Sequence, residues 1–181
     1  MGRVIEDLVE AYALLTAKGR LTASRPSSDV DHKDFVFDER GGYRNIYLQV
    51  KGVTQVNVIG QVRMHVEFRT KKLLSNPRFL YLFCLLDVKG MRIARMWLVP
   101  SPEFNQLAPR LRTRTGGVQF AFVAGKKSKW DRFRVEAEEL GAKLLNAIEE
   151  TREASPLKSP RLASLIMTEA GNGRGRARAT D

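Results

Sequence analysis

The chain is 181 residues long, with 43% hydrophobic side chains, a formal net charge of +11 and an isoelectric point near 10.2. That length suits one domain with a real core, and that charge suits a polyanionic partner, because each Lys or Arg seated on a phosphate releases counterions. The single cysteine, Cys84, excludes an intrachain disulfide, and with only two histidines it makes no zinc site.

Val4–Lys18 reads as a helix that places Glu6 and Glu10 on one side, four residues apart, with Gly19 ending it. The acids Glu6, Asp7 and Glu10 stand where a secretory signal would be basic and then apolar. No apolar run approaches the length of a membrane span, so a reducing cytoplasm is the expected compartment. An acidic stretch, Asp29–Asp38, follows. Its second half alternates, with Phe35 and Phe37 on one face and Asp34, Val36 and Asp38 on the other. Ile46–Lys51 alternates as well, opposing Ile46, Leu48 and Val50 to Tyr47, Gln49 and Lys51. The polar connection Glu39–Asn45 holds adjacent glycines, which supply the positive φ that a tight turn needs. A hairpin of these two strands brings Asp34, Gln49 and Lys51 to one spot. A carboxylate, an amide oxygen and an ammonium there suit a divalent metal beside a phosphate.

Further on, Val53–Arg69 alternates, with Val56, Val58, Val62, Met64, Val66 and Phe68 evenly spaced and Gly60 as a bulge or bend. Phe79–Leu86 is continuously apolar, the pattern of a central strand covered on both faces. Met91–Val99 predicts another strand, Glu103–Leu107 a short helix after Pro102, and Val118–Val123 a short strand. Ser128 then reads as the cap of a long helix, Lys129–Glu150, with Phe133, Ala137, Leu140, Leu144 and Ile148 as its apolar face. There is no internal repeat. These elements predict one α/β domain over residues 1–150, a mixed sheet flanked by helices. Residues 151–181 form a basic tail, low in bulky side chains, expected to be disordered and dispensable for folding. The tail carries a net charge of +3, which leaves +8 on the body.

The succession of acidic residue, strand, glycine turn and strand ending in Gln49-Val50-Lys51 resembles the core of the PD-(D/E)xK nuclease superfamily, over roughly residues 4–53. It is similar to small members ending in Gln-Val-Lys and to Holliday-junction resolvases. The resemblance implies a restriction-endonuclease-like fold and a metal-dependent nuclease, with Mg²⁺ or Mn²⁺ as cofactor and DNA as partner, a homodimer being one arrangement. It assigns Asp34, Gln49 and Glu10 to the metal, with Glu6 as the other helix candidate, and Lys51 to the attacking water or the developing charge. Gln49 departs from the pattern, since most of the superfamily carries a carboxylate there. The loss of one negative charge is expected to weaken metal binding.

Alternatives stay open at several positions. Asp29, Asp31 and Asp38 compete with Asp34 as the acid. Arg110, Arg112 and Arg114, at alternate positions, suit a phosphate track or a solvated loop. Arg174, Arg176 and Arg178 lie in an arginine-glycine run that suits nucleic acid or plain solvation. His32 and His65 read as exposed, Trp97 and Trp130 as packing residues, and Cys84 as a small buried hydrophobe. Two function classes follow: a metal-dependent DNA nuclease, and a catalytically weak relative that only binds nucleic acid or a protein partner.

Overall fold

The computed structural model describes residues 2–26, 33–42, 44–68, 74–112 and 118–151. Helix α1 (Gly2–Thr16) leads into strands β1 (Leu21–Ser24), β2 (Phe35–Glu39) and β3 (Asn45–Val53). Strands β4 (Val62–Phe68), β5 (Phe79–Asp87) and β6 (Arg92–Pro100) follow. Then come α2 (Ser101–Leu107), β7 (Arg110–Arg112), β8 (Val118–Ala124), β9 (Arg134–Val135) and α3 (Leu140–Glu150). A mixed six-stranded sheet has the order β1-β2-β3-β5-β6-β9, with β3 and β5 parallel and the other pairs antiparallel. A second, three-stranded sheet runs β4-β8-β7.

Strand β5 explains the layering. Leu80, Leu82, Cys84 and Leu86 are buried with Ile5, Val9 and Ala13 of α1 and Leu140, Leu144 and Ile148 of α3. Phe79, Tyr81 and Phe83 are buried on the other face with Val62, Met64, Val66, Phe120 and Phe122 of the second sheet and Phe104 of α2. Each fully buried side chain of this size contributes about 1.5–3 kcal/mol of transfer free energy. The expected mixed sheet flanked by helices is therefore present, with a small sheet added as a further layer.

Three expectations change. Val53–Arg69 is not one alternating unit: β3 ends at Val53, β4 begins at Val62, and Val56 and Val58 are exposed between them. Asn57 turns the chain there, its Oδ1 accepting from the amides of Ile59 at 3.2 Å and Gln61 at 2.8 Å. The long helix from Lys129 is also broken. Ser128 instead closes a tight turn, its amide donating to Asp131 Oδ2 at 2.8 Å, and α3 starts only at Leu140. The reason is that Trp130 is buried in one core and Val135 in the other. The chain must round the sheet edge between them, which a straight helix cannot do and strand β9 does by pairing with β6. Finally, β1 pairs with β2 as an edge strand that the sequence did not announce.

Two glycines allow α1 to come close. A Cβ at Gly52 of β3 would collide with Cδ1 of Ile5, the end of a flexible side chain. A Cβ at Gly141 of α3 would collide with the backbone of Ala17 and Ala13, which cannot give way. Gly52→Ala is expected to cost about 1–3 kcal/mol, recovered in part by adding Ile5→Val, whereas Gly141→Ala costs more and is not recovered by trimming a side chain. Thermal denaturation of the three variants checks this.

Candidate active site

The register Phe35↔Leu48 places Asp34 opposite Gln49, one step beyond the paired residues of β2. The Asp34 amide donates to Leu48 O at 2.9 Å. Its carboxylate then turns back to β3, where Oδ2 accepts from the Val50 amide at 2.6 Å. A charged acceptor makes this bond stronger than a neutral one and fixes the acid against the strand. Gln49 and Lys51 flank that amide in sequence and share the other face of β3.

Gln49 lies in register with Tyr81 of β5, and Lys51 with Phe83. Only 5% of Gln49 is exposed, and its Oε1 is buried without a hydrogen-bond partner. Lys51 is half-buried. Neighbouring Lys33 sets its ammonium 4.4 Å from the centre of the Tyr47 ring, on the same face as Gln49. The β2–β3 register thus sets Asp34 opposite Gln49, with Lys51 two residues further along the same face of β3.

Glu6 and Glu10 are placed by α1 on the opposite side of the sheet, and Arg25 gathers them. Glu10 Oε2 accepts from Arg25 Nη2 at 2.6 Å and Nε at 3.1 Å, Asp7 Oδ1 accepts from Nη2 at 2.6 Å, and Glu6 Oε2 lies 3.8 Å from Nη1. Glu10 first, then Asp7, holds the guanidinium above its usual range. Arg25 also stacks 4.9 Å over the Phe35 ring, beside Asp34 in sequence. The helix acids therefore sit near the start of β2, with Glu10 and Asp7 already engaged by Arg25. Among the described residues, no group of three or more His, Cys, Asp or Glu side chains is arranged to hold a metal ion.

The remaining candidates disperse. Asp38 is half-buried at the turn end of β2, and Asp29, Asp31 and His32 lie outside the described residues. His65 is exposed, Trp97 and Trp130 are core residues, and burial pushes the Cys84 thiol far up. Arg110 is exposed in β7, and Arg112 of β7 stands opposite Val118 of β8 in the ladder. That strand is the edge of the second sheet away from β4. Arg114, Arg174, Arg176 and Arg178 lie outside the described residues. Sequence reasoning missed Arg25 and Gly52. Three acids, Glu6, Asp7 and Glu10, within two helical turns signal a cation partner, and a glycine directly after Lys51 signals close approach of another element.

No protein-family model matches the chain, and no curated protein matches it in sequence. Solved structures do match its fold. One is the bacterial homing endonuclease I-Ssp6803I, with a TM-score of 0.51 and 16% identity, covering 84% of this chain and 98% of that one. At that identity the likeness is one of fold: the chain shares that protein's mixed α/β architecture. Among the described residues, no helix is long and apolar enough to cross a membrane.

Burial raises the pKa of Asp38 above the usual 3.8, opposed by a hydrogen bond from Asn45. An acid whose pKa is raised in the folded state burdens folding as the pH rises above its unfolded-state value, fully so above its folded-state value, and the burden vanishes where the carboxyl is protonated in both states. Asp38→Asn is therefore expected to raise the melting temperature at neutral pH, with the gain fading as the pH falls below the carboxylate range. Melting curves across pH test the sign.

Proposed function

We propose that the protein is a metal-dependent endonuclease hydrolysing phosphodiester bonds in DNA, of the PD-(D/E)xK kind, with its centre at Asp34, Gln49 and Lys51. One observation carries the reading: a buried amide oxygen, Gln49 Oε1, has no donor, directly opposite Asp34. Leaving such a group unpaired costs about 1–3 kcal/mol, a cost that a ligand supplying a partner there would relieve. A hard divalent cation supplies the missing partner. Mg²⁺ or Mn²⁺ takes oxygen ligands and needs only one or two protein carboxylates, the rest being water and phosphate oxygens. Asp34 and Gln49 would hold it, and Glu10 would join only by leaving Arg25.

Bound there, the ion would lower the pKa of a water and offset charge on the phosphate. The chain's own residues do the rest. Val50 N–H holds the Asp34 carboxylate in place. Lys51, two residues past Gln49 on the same strand face, donates hydrogen bonds to the attacking water or to a non-bridging phosphate oxygen. Its ammonium offsets the charge that grows there in the transition state. With one carboxylate instead of two, the protein alone attracts the cation weakly, and the phosphate supplies the missing negative charge. Metal and DNA are then expected to bind cooperatively.

The rival reading, binding without cleavage, draws on the neutral Gln49 and on the pairing of Glu10 with Arg25. The two separate in one set of assays on wild type and variants. Wild type is expected to nick or cut duplex or branched DNA with Mg²⁺ or Mn²⁺ and to stop with EDTA. Lys51→Ala should lose cleavage by at least about a hundredfold while keeping Mn²⁺ affinity. Asp34→Ala should lose both. Gln49→Leu should lose Mn²⁺ binding yet melt no lower than wild type, because an apolar side chain leaves no unpaired oxygen. DNA binding without cleavage under either metal, together with unchanged Mn²⁺ affinity in Gln49→Leu, would leave the binding-only reading standing.

A further inference from the structure

The turn between β3 and β4 is built with care for a segment that buries nothing. Asn57 N–H donates to Gln61 O at 2.8 Å, Gly60 N–H donates to Asn57 O at 2.8 Å, and the Asn57 amide donates to Gln61 Oε1 at 3.3 Å. Together with the two amides that Asn57 Oδ1 accepts, these bonds lock the turn. Gly60 takes φ +76°, which a side chain would oppose. What the locked turn displays is apolar: Val58 is 103% and Ile59 71% exposed. Val88 and Met91, at the tip of the adjacent β5–β6 hairpin, are exposed too. Val56 joins the two loops, lining one groove with Leu85, Asp87 and Ala94.

Around this apolar tip the exposed charges are mostly positive. Arg63 follows Val62, Lys89 lies between Val88 and Met91, and Lys126 and Lys127 follow Gly125, which packs on Gln61. None of these four makes an ion pair with a described residue. Asp87 is already engaged, accepting from the Gly90 amide at 3.1 Å and pairing with Arg92 at 3.5 Å. A second copy of the chain is a poor occupant, because a two-fold contact would set the same cations against each other. A polyanion with an apolar interior fits both the ring and its centre. DNA is such a molecule, and apolar side chains that push between base steps are a known way to bend it.

We infer that the Asn57–Gln61 turn is a wedge: Val58 and Ile59 insert against the bases of duplex DNA while Arg63, Lys89, Lys126 and Lys127 seat on the flanking phosphates. The inference rests on the proposed DNA-binding function and adds that the substrate is a duplex which the protein deforms. The chain from Lys51 to Val58 reaches at most about 23 Å at ~3.3 Å per residue, so the deformed step lies within about seven base pairs of the cut. Flexible TpA steps cost least to open and should be preferred.

The test measures DNA binding in Ca²⁺, without cleavage, on a TpA-rich duplex in which one adenine is replaced by 2-aminopurine. Wild type should raise the fluorescence as the probe unstacks. Val58→Ser with Ile59→Ser should abolish the rise and weaken binding about tenfold or more, at an unchanged melting temperature because both side chains are exposed. Lys126→Ala with Lys127→Ala should keep the rise and flatten the salt dependence by about 1.8 in log–log slope. Unchanged affinity and fluorescence in the serine variant would overturn the wedge. So would a serine variant that binds DNA normally but falls from dimer to monomer in sedimentation, which would make the tip a contact between copies. Because cutting is not measured, the two ideas fail separately: unstacking without cleavage elsewhere sinks only the nuclease, and cleavage without unstacking sinks only the wedge. No DNA binding at all sinks both.

Discussion

Strand β5 carries apolar side chains on both faces, and neither face can be left in water. That constraint sets the architecture. One face takes α1 and α3, the other takes the small second sheet and α2. The aromatic residues settle the second contact: Phe83 and Phe122 stack at 4.1 Å with 10° between their planes, and Trp130 closes on Phe122 at 5.0 Å. Because β5 is dry on both sides, its parallel neighbour β3 is held in the middle of the sheet. On the β3 face turned toward the second sheet, two polar side chains are held among apolar neighbours, Gln49 buried and Lys51 half-buried.

The candidate centre follows from how β2 ends. A regular ladder would continue pairing past Phe35. Instead the chain bends at Asp34, and the acid's own carboxylate accepts the Val50 amide that β2's backbone leaves unpaired. This substitution brings a negative charge beside Gln49 without burying it unpaired. Gln49 is the point of tension. Its amide is almost wholly buried and its oxygen has no donor, so on stability alone an apolar residue would serve better.

Arg25 limits what the helix acids can do. Drawn together on one helix, Glu6, Asp7 and Glu10 would repel each other, and the guanidinium lets them coexist while tying the end of β1 to α1. The same contact keeps those carboxylates away from bare metal chemistry unless Arg25 moves. Under the proposed function, a divalent ion would find one carboxylate and one amide there, a weak set alone that a phosphate would complete. The net charge of +11 agrees with a polyanionic partner.

Much of this was legible in the sequence, and the reason is periodicity. Alternation in Asp34–Asp38 and Ile46–Lys51, the glycine turn between them and the unbroken run Phe79–Leu86 fixed which residues share a face, because a strand's side chains obey a period of two wherever it lies. The hairpin, the central strand, the N-terminal helix and the trio Asp34, Gln49 and Lys51 came from that rule. Other features depend on partners distant in sequence. Only the folded chain shows that Val62–Phe68 and Val118–Ala124 leave the main sheet to form their own. Only the fold breaks the helix after Ser128, since the break is set by which core Trp130 and Val135 each enter. The grip of Arg25 on α1 and the missing donor at Gln49 are likewise tertiary facts. Local pattern decides which way a side chain points, but what it meets there depends on elements packed from elsewhere in the chain, and that no single strand can encode.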